Sequence, residues 1–131
     1  MSEVNRTETR PPAVAGLFYP ADRQELGATV EGLLSEAREA RQRAPSRPPF
    51  AIVAPHAGFV YSGPTAAQAY QYLARYRSQF QRVLILGPAH RVAFQGLAAP
   101  SAAAFRTPLG TVPVDTDAIA ALNTLEQVTV R

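Results

Sequence analysis

An α/β fold, a mixed or parallel sheet flanked by helices, follows from three features of this sequence. Phe50 to Ala54 and Arg82 to Leu86 are continuous runs of strand-forming residues, the pattern of strands buried on both faces. A helical pattern separates them, so the order strand, helix, strand predicts a right-handed βαβ unit with both strand ends on one edge of the sheet. Each run then stops in a loop shaped by Gly and Pro that carries one of the chain's two histidines: His56 in Pro55-His56-Ala57-Gly58, and His90 in Gly87-Pro88-Ala89-His90. Ligands of open α/β sheets bind at the carboxyl ends of strands, and imidazole is both a common metal ligand and an acid or base near neutral pH. His56 and His90 are therefore candidate catalytic and metal-binding residues, with hydrogen-bonded loop histidines as the simpler alternative.

A chain of 131 residues is the size of one domain, and 47% hydrophobic with 18% charged residues is the balance of a globular protein with a modest core. Cysteine is absent, which removes disulfides, thiolate ligands and cysteine nucleophiles, so any metal must use His, carboxylate or carbonyl. No apolar run approaches a membrane span, and the N-terminus lacks the apolar segment of a signal peptide, so the expected location is cytoplasmic with no membrane partner. The net charge of +3 owes much to Arg38, Arg41, Arg43 and Arg47 around the end of a predicted helix. Cations there complement the helix dipole, whereas nucleic-acid binding would need a broader basic face with stacking aromatics, so no nucleic-acid partner is expected.

Taken in order, residues 1–9 read as a flexible N-terminus and order is expected from Arg10. Arg10 to Pro20 is unsuited to a helix because of its prolines, and is predicted to be an extended arm anchored by Phe18 and Tyr19. Asp22, with Glu25 three positions on, predicts a capped helix running to about Arg43, its apolar face carrying Leu26, Val30, Leu33, Leu34 and Ala37. The Pro-rich stretch 44–49 leads into the first strand. Beyond His56, Ser62 or Gly63 is expected near the N-cap of the next helix, with Pro64 in its first turn. That helix N-terminus favours an anion, and Tyr61 and Ser62 are candidate substrate-binding residues, with capping as the simpler role.

Past His90, Gly96 to Ala99 reads as a strand, Phe105 to Gly110 as a loop and Thr111 to Val114 as extended chain. Asp115 is placed as the N-cap of a last helix over about 116–125. Val128 to Val130 has strand character with no following neighbour, so the domain reads as incomplete.

Four motifs, RPPAVAGLFYP at Arg10 to Pro20, APHAGFVYSG at Ala54 to Gly63, LILGPAH at Leu84 to His90 and TPLGTVPVD at Thr107 to Asp115, together resemble the Memo-like family. The resemblance implies a fold similar to the class III extradiol (LigB-type) dioxygenases, which are non-haem iron enzymes. It places His56 and His90 at the two first-half histidines of the family's metal site, with Fe(II), or alternatively Cu or Zn, as the metal. Family members are roughly twice this length, so residues 10–131 read as the N-terminal portion of a single Memo-like α/β domain. Their second half supplies an acidic residue, a His and in some members a Cys. Neither His loop holds a carboxylate, and Asp115, the nearest by motif, reads as a helix cap.

Three functions stay open on this reading. The complete protein is a dioxygenase-like redox enzyme acting on a small aromatic or anionic substrate; or the crevice is a non-catalytic peptide- or anion-binding module; or the chain is an inactive truncated half-domain. Oligomeric state is not legible, although missing strands would leave edges that invite association.

Overall fold

The computed structural model describes residues 8–40 and 46–131. The expectations for residues 1–7, and for continuation of the first helix through Arg41 and Arg43, lie outside the described residues. The fold is α/β, with three α-helices and both parallel and antiparallel strand pairs among the described residues. It divides into two compact units, residues 14–84 and residues 1–13 with 85–131.

The first unit is helical. Helix α1 (Arg23–Glu39) begins where its cap predicts: Asp22 is extended, and its Oδ1 accepts the N–H groups of Gln24 at 2.8 Å and Glu25 at 2.9 Å. Two of the four donors that a helix start leaves without intrahelical partners are thereby satisfied. Helix α2 (Phe59–Ala74) packs against α1, and buried Leu26 and Ala37 on α1, with Ser62, Gly63, Ala67 and Gln71 on α2, form the core of this unit. The helices approach closely because Gly63 lacks a side chain; a Cβ there would lie 3.0 Å from Cδ1 of Leu33. The small residues of α2 thus serve a helix rather than the sheet expected from the sequence.

Helix α2 starts earlier than Ser62 or Gly63. Its N-cap is Gly58, and Pro64 lies inside the helix, beyond the first turn. The reason is tertiary. The Phe59 N–H donates to the carbonyl of Phe18 at 2.7 Å, so the arm, not a side chain, satisfies a donor of the first turn. The arm itself is ordered and non-helical, but it folds back instead of running extended. Gly16, at φ 79°, donates its N–H to the Tyr19 carbonyl at 2.8 Å, and Phe18 N–H reaches Val14 O at 2.9 Å. Tyr19 anchors by its ring, 5.9 Å from that of Phe59, while Phe18 anchors by its backbone and leaves its ring largely exposed.

The second unit carries the strands. β1 (Thr9–Arg10) pairs in parallel with β3 (Ala104–Thr107), which pairs antiparallel with β4 (Gly110–Pro113). β2 (Leu97–Ala99) pairs in parallel with β5 (Val128–Val130), and α3 (Thr116–Leu122) lies between β4 and β5 in sequence. Asp115 caps α3 as expected, its Oδ1 accepting the Ala118 N–H at 2.9 Å. Three expectations are corrected. Phe105 to Thr107 is a strand rather than loop, because Phe105 and Thr107 pair with Val112 and Gly110 and the Thr107 hydroxyl bonds the Gly110 carbonyl at 3.0 Å. Val128 to Val130 does have a neighbour, β2, earlier in the chain. Helix α3 ends at Leu122, short of Leu125.

The largest correction concerns the two runs that bear the histidines. Phe50 to Ala54 and Arg82 to Leu86 form no strand and join no ladder, so the predicted βαβ unit is not formed. Most of their apolar side chains are exposed. Strand propensity describes how a residue suits a pleated, half-covered surface, and without a hydrogen-bonded neighbour that surface does not exist.

Candidate functional site

His56 is exposed in the loop between the irregular stretch 50–54 and α2. The chain just after it is well tied. The Ser62 hydroxyl, buried one turn into α2, donates to the carbonyl of Ala57 at 2.8 Å, holding the residue after His56 against the helix. Tyr61 N–H donates to the Gly58 carbonyl at 2.9 Å, while its side chain projects into solvent. The structure therefore gathers His56, Tyr61 and Ser62 on one loop–helix junction, with Ser62 turned inward to the backbone and Tyr61 turned outward. A serine inside a helix commonly bonds back to a carbonyl a turn earlier, and here that bond spans the loop. His90 is likewise exposed, in the irregular stretch beyond Leu86, and belongs to the strand-bearing unit.

Two imidazoles suit Fe(II), Cu or Zn, yet they are short of a 2-His-1-carboxylate set by its carboxylate. Among the described residues, no three of His, Asp and Glu gather in a way that could hold a metal ion. Asp115 is committed to α3, since its Oδ1 is the cap acceptor.

Sequence reasoning missed a shallow recess of about 250 Å³ in the strand-bearing unit, lined in part by Glu8, Arg10, Ser101 and Arg131. Its arginines are already engaged with aromatic rings. The Arg10 guanidinium lies 5.7 Å from the centre of the Phe105 ring and that of Arg131 5.4 Å from Phe94. No helix among the described residues is long and apolar enough to cross a membrane.

Comparison with known proteins adds a family to this geometry. The family described as Memo-like protein matches residues 10–131. A MEMO1 family protein of Methanopyrus kandleri is 40% identical over 122 residues, which cover 86% of this chain and 41% of that protein. Protein MEMO1 of Xenopus laevis is 40% identical over 111 residues, covering 85% of this chain and 35% of its own length, and that of Mus musculus is 39% identical with the same coverage. The chain thus spans 35 to 41% of the length of these relatives.

Proposed function

The chain belongs to the Memo-like family, and from that premise we propose that His56 and His90 supply two ligands of a non-haem metal centre with dioxygenase-like redox activity in the complete protein. The observation that carries this reading is the matched setting of the two imidazoles, each exposed in a Gly/Pro loop directly after an apolar run. Fe(II), with Cu or Zn as alternatives, would supply Lewis acidity and, for iron or copper, a redox centre. The chain's own residues have narrower roles. The Ser62 hydroxyl fixes the Ala57 carbonyl and so limits where the His56 loop can go. The exposed Tyr61 phenol would hydrogen-bond a small aromatic or anionic substrate, and the carboxylate that the two histidines lack would come from Memo-like sequence outside this chain.

Anaerobic titration with Fe(II), and separately with Cu and Zn, tests this on wild type, His56→Ala and His90→Ala. Stoichiometric binding is expected in wild type, weakened by about tenfold or more in each variant, at least as much as loss of a supporting group around a metal ligand costs. Equal binding by all three proteins would overturn it. Retention of a phenolate or peptide without metal, lost in Tyr61→Phe, would move the reading to a binding module.

A further inference from the structure

The recess of the strand-bearing unit shares no residue with the His56 and His90 reading. Arg10, at the end of β1, and Arg131, directly after β5, come from different sheets yet line the same space of about 250 Å³, together with Glu8, Pro100, Ser101 and Ala102. Backbone bonds fix its floor. Ser101 N–H donates to the Arg131 carbonyl at 2.8 Å, Arg131 N–H to the Ala99 carbonyl at 2.9 Å and Ala103 N–H to the Glu8 carbonyl at 2.9 Å. The segment carrying Pro100 to Ala102 is thereby tied to both stretches of backbone that bring the arginines.

Each guanidinium is positioned by a ring, Arg10 by Phe105 and Arg131 by Phe94. A phenyl ring attracts a cation but offers no lone pair, so the planar fork of N–H donors is still able to grip an oxyanion. Glu8 narrows the choice of oxyanion. Two guanidiniums against one carboxylate leave a single net positive charge, which a monoanion neutralises. A dianion would leave surplus negative charge beside Glu8 and lose more hydration on entry. Half-buried Pro100 and Ala102 add apolar wall, which suits a ligand with a short hydrocarbon body over a bare inorganic ion. We propose that this recess binds a small monocarboxylate, its carboxylate held in the forks of Arg10 and Arg131 and its apolar body against Pro100 and Ala102.

Propionate and inorganic phosphate would each be titrated into the isotope-labelled 131-residue chain at constant ionic strength and about pH 8, where phosphate is a dianion, with amide shifts read by NMR. Propionate is expected to saturate, moving the amides of Arg10, Ser101, Ala102 and Arg131 together, and phosphate to bind more weakly. Arg10→Gln and Arg131→Gln should each weaken propionate by about tenfold, the loss of a charged hydrogen bond. Arg10→Lys should stay weak, because it keeps the charge and loses the fork. Glu8→Gln touches neither ring and should tighten phosphate more than propionate, since a removed charge acts about twice as strongly on a dianion. Unchanged protection of the β3 and β4 amides would show that the variants keep their fold. Shifts that rise without saturation at arginines throughout the chain, phosphate binding tighter than propionate to the wild type, or undiminished propionate binding in both Arg→Gln variants would each overturn the proposal.

Discussion

Leu26 and Leu84 are the same residue in two regions with opposite outcomes. Leu26, on α1, is 4% exposed against the facing helix; Leu84, inside a more continuous apolar run, is 71% exposed. The difference lies in where each finds its partner. An amphipathic helix satisfies its own backbone and needs only one surface to cover a stripe, which α2 supplies through Gly63 and Ala67. A strand satisfies nothing by itself and requires a neighbour at its edge before burial can begin. The apolar character of a segment therefore marks what it can bury, and a neighbour decides whether it does.

That contrast can be broken by mutation. Leu26→Ala should cost the most, about 3 kcal/mol, since it deletes buried methyl groups between two helices; urea unfolding monitored by circular dichroism would measure it. Gly96→Ala comes next at about 2 kcal/mol, because Gly96 sits at φ 82° and a Cβ would collide with the carbonyl oxygen of Gln127, the acceptor of the Leu97 N–H. Faster amide exchange in β2 and β5, with α1 unchanged, would identify that cause. Asp22→Ala should cost about 1 kcal/mol and fray the start of α1, visible as lost protection within its first turn.

Gln71→Met is expected to be neutral or to gain up to about 1 kcal/mol, since the buried Gln71 Oε1 has no hydrogen-bond partner among the described residues. A loss as large as that of Leu26→Ala would show that the amide is bonded in solution. Leu84→Ala should be smallest, within about 0.5 kcal/mol, because the side chain is already in water. Should Leu84→Ala prove as costly as Leu26→Ala in urea unfolding, the segment is covered in solution and the contrast between the two regions fails.

Local features were legible in advance. The caps Asp22 and Asp115, the helical face around Leu26 and Ala37, the extended stretch before Asp115 and the strand character of Leu97 to Ala99 and Val128 to Val130 all depend on neighbours within a few residues. The start of α2 was not legible, because the Phe18 carbonyl that meets its first turn lies 41 residues before Phe59. Pro64 pointed to a later start for the same reason, since local rules place proline in a first turn and only the docked arm extends the helix ahead of it. Of the candidate site, the inward turn of Ser62 toward Ala57 required the fold.

By itself the sequence determined the family, the α/β class and the starts of the two helices capped by Asp22 and Asp115, since motif order and short-range hydrogen bonds are written along the chain. Only the tertiary structure decided which strands pair, with β1 beside β3 and β2 beside β5, and that the runs 50–54 and 82–86 form no strand. The physical reason is that helix hydrogen bonds close within four residues, whereas a strand's bonds close on a segment any distance away.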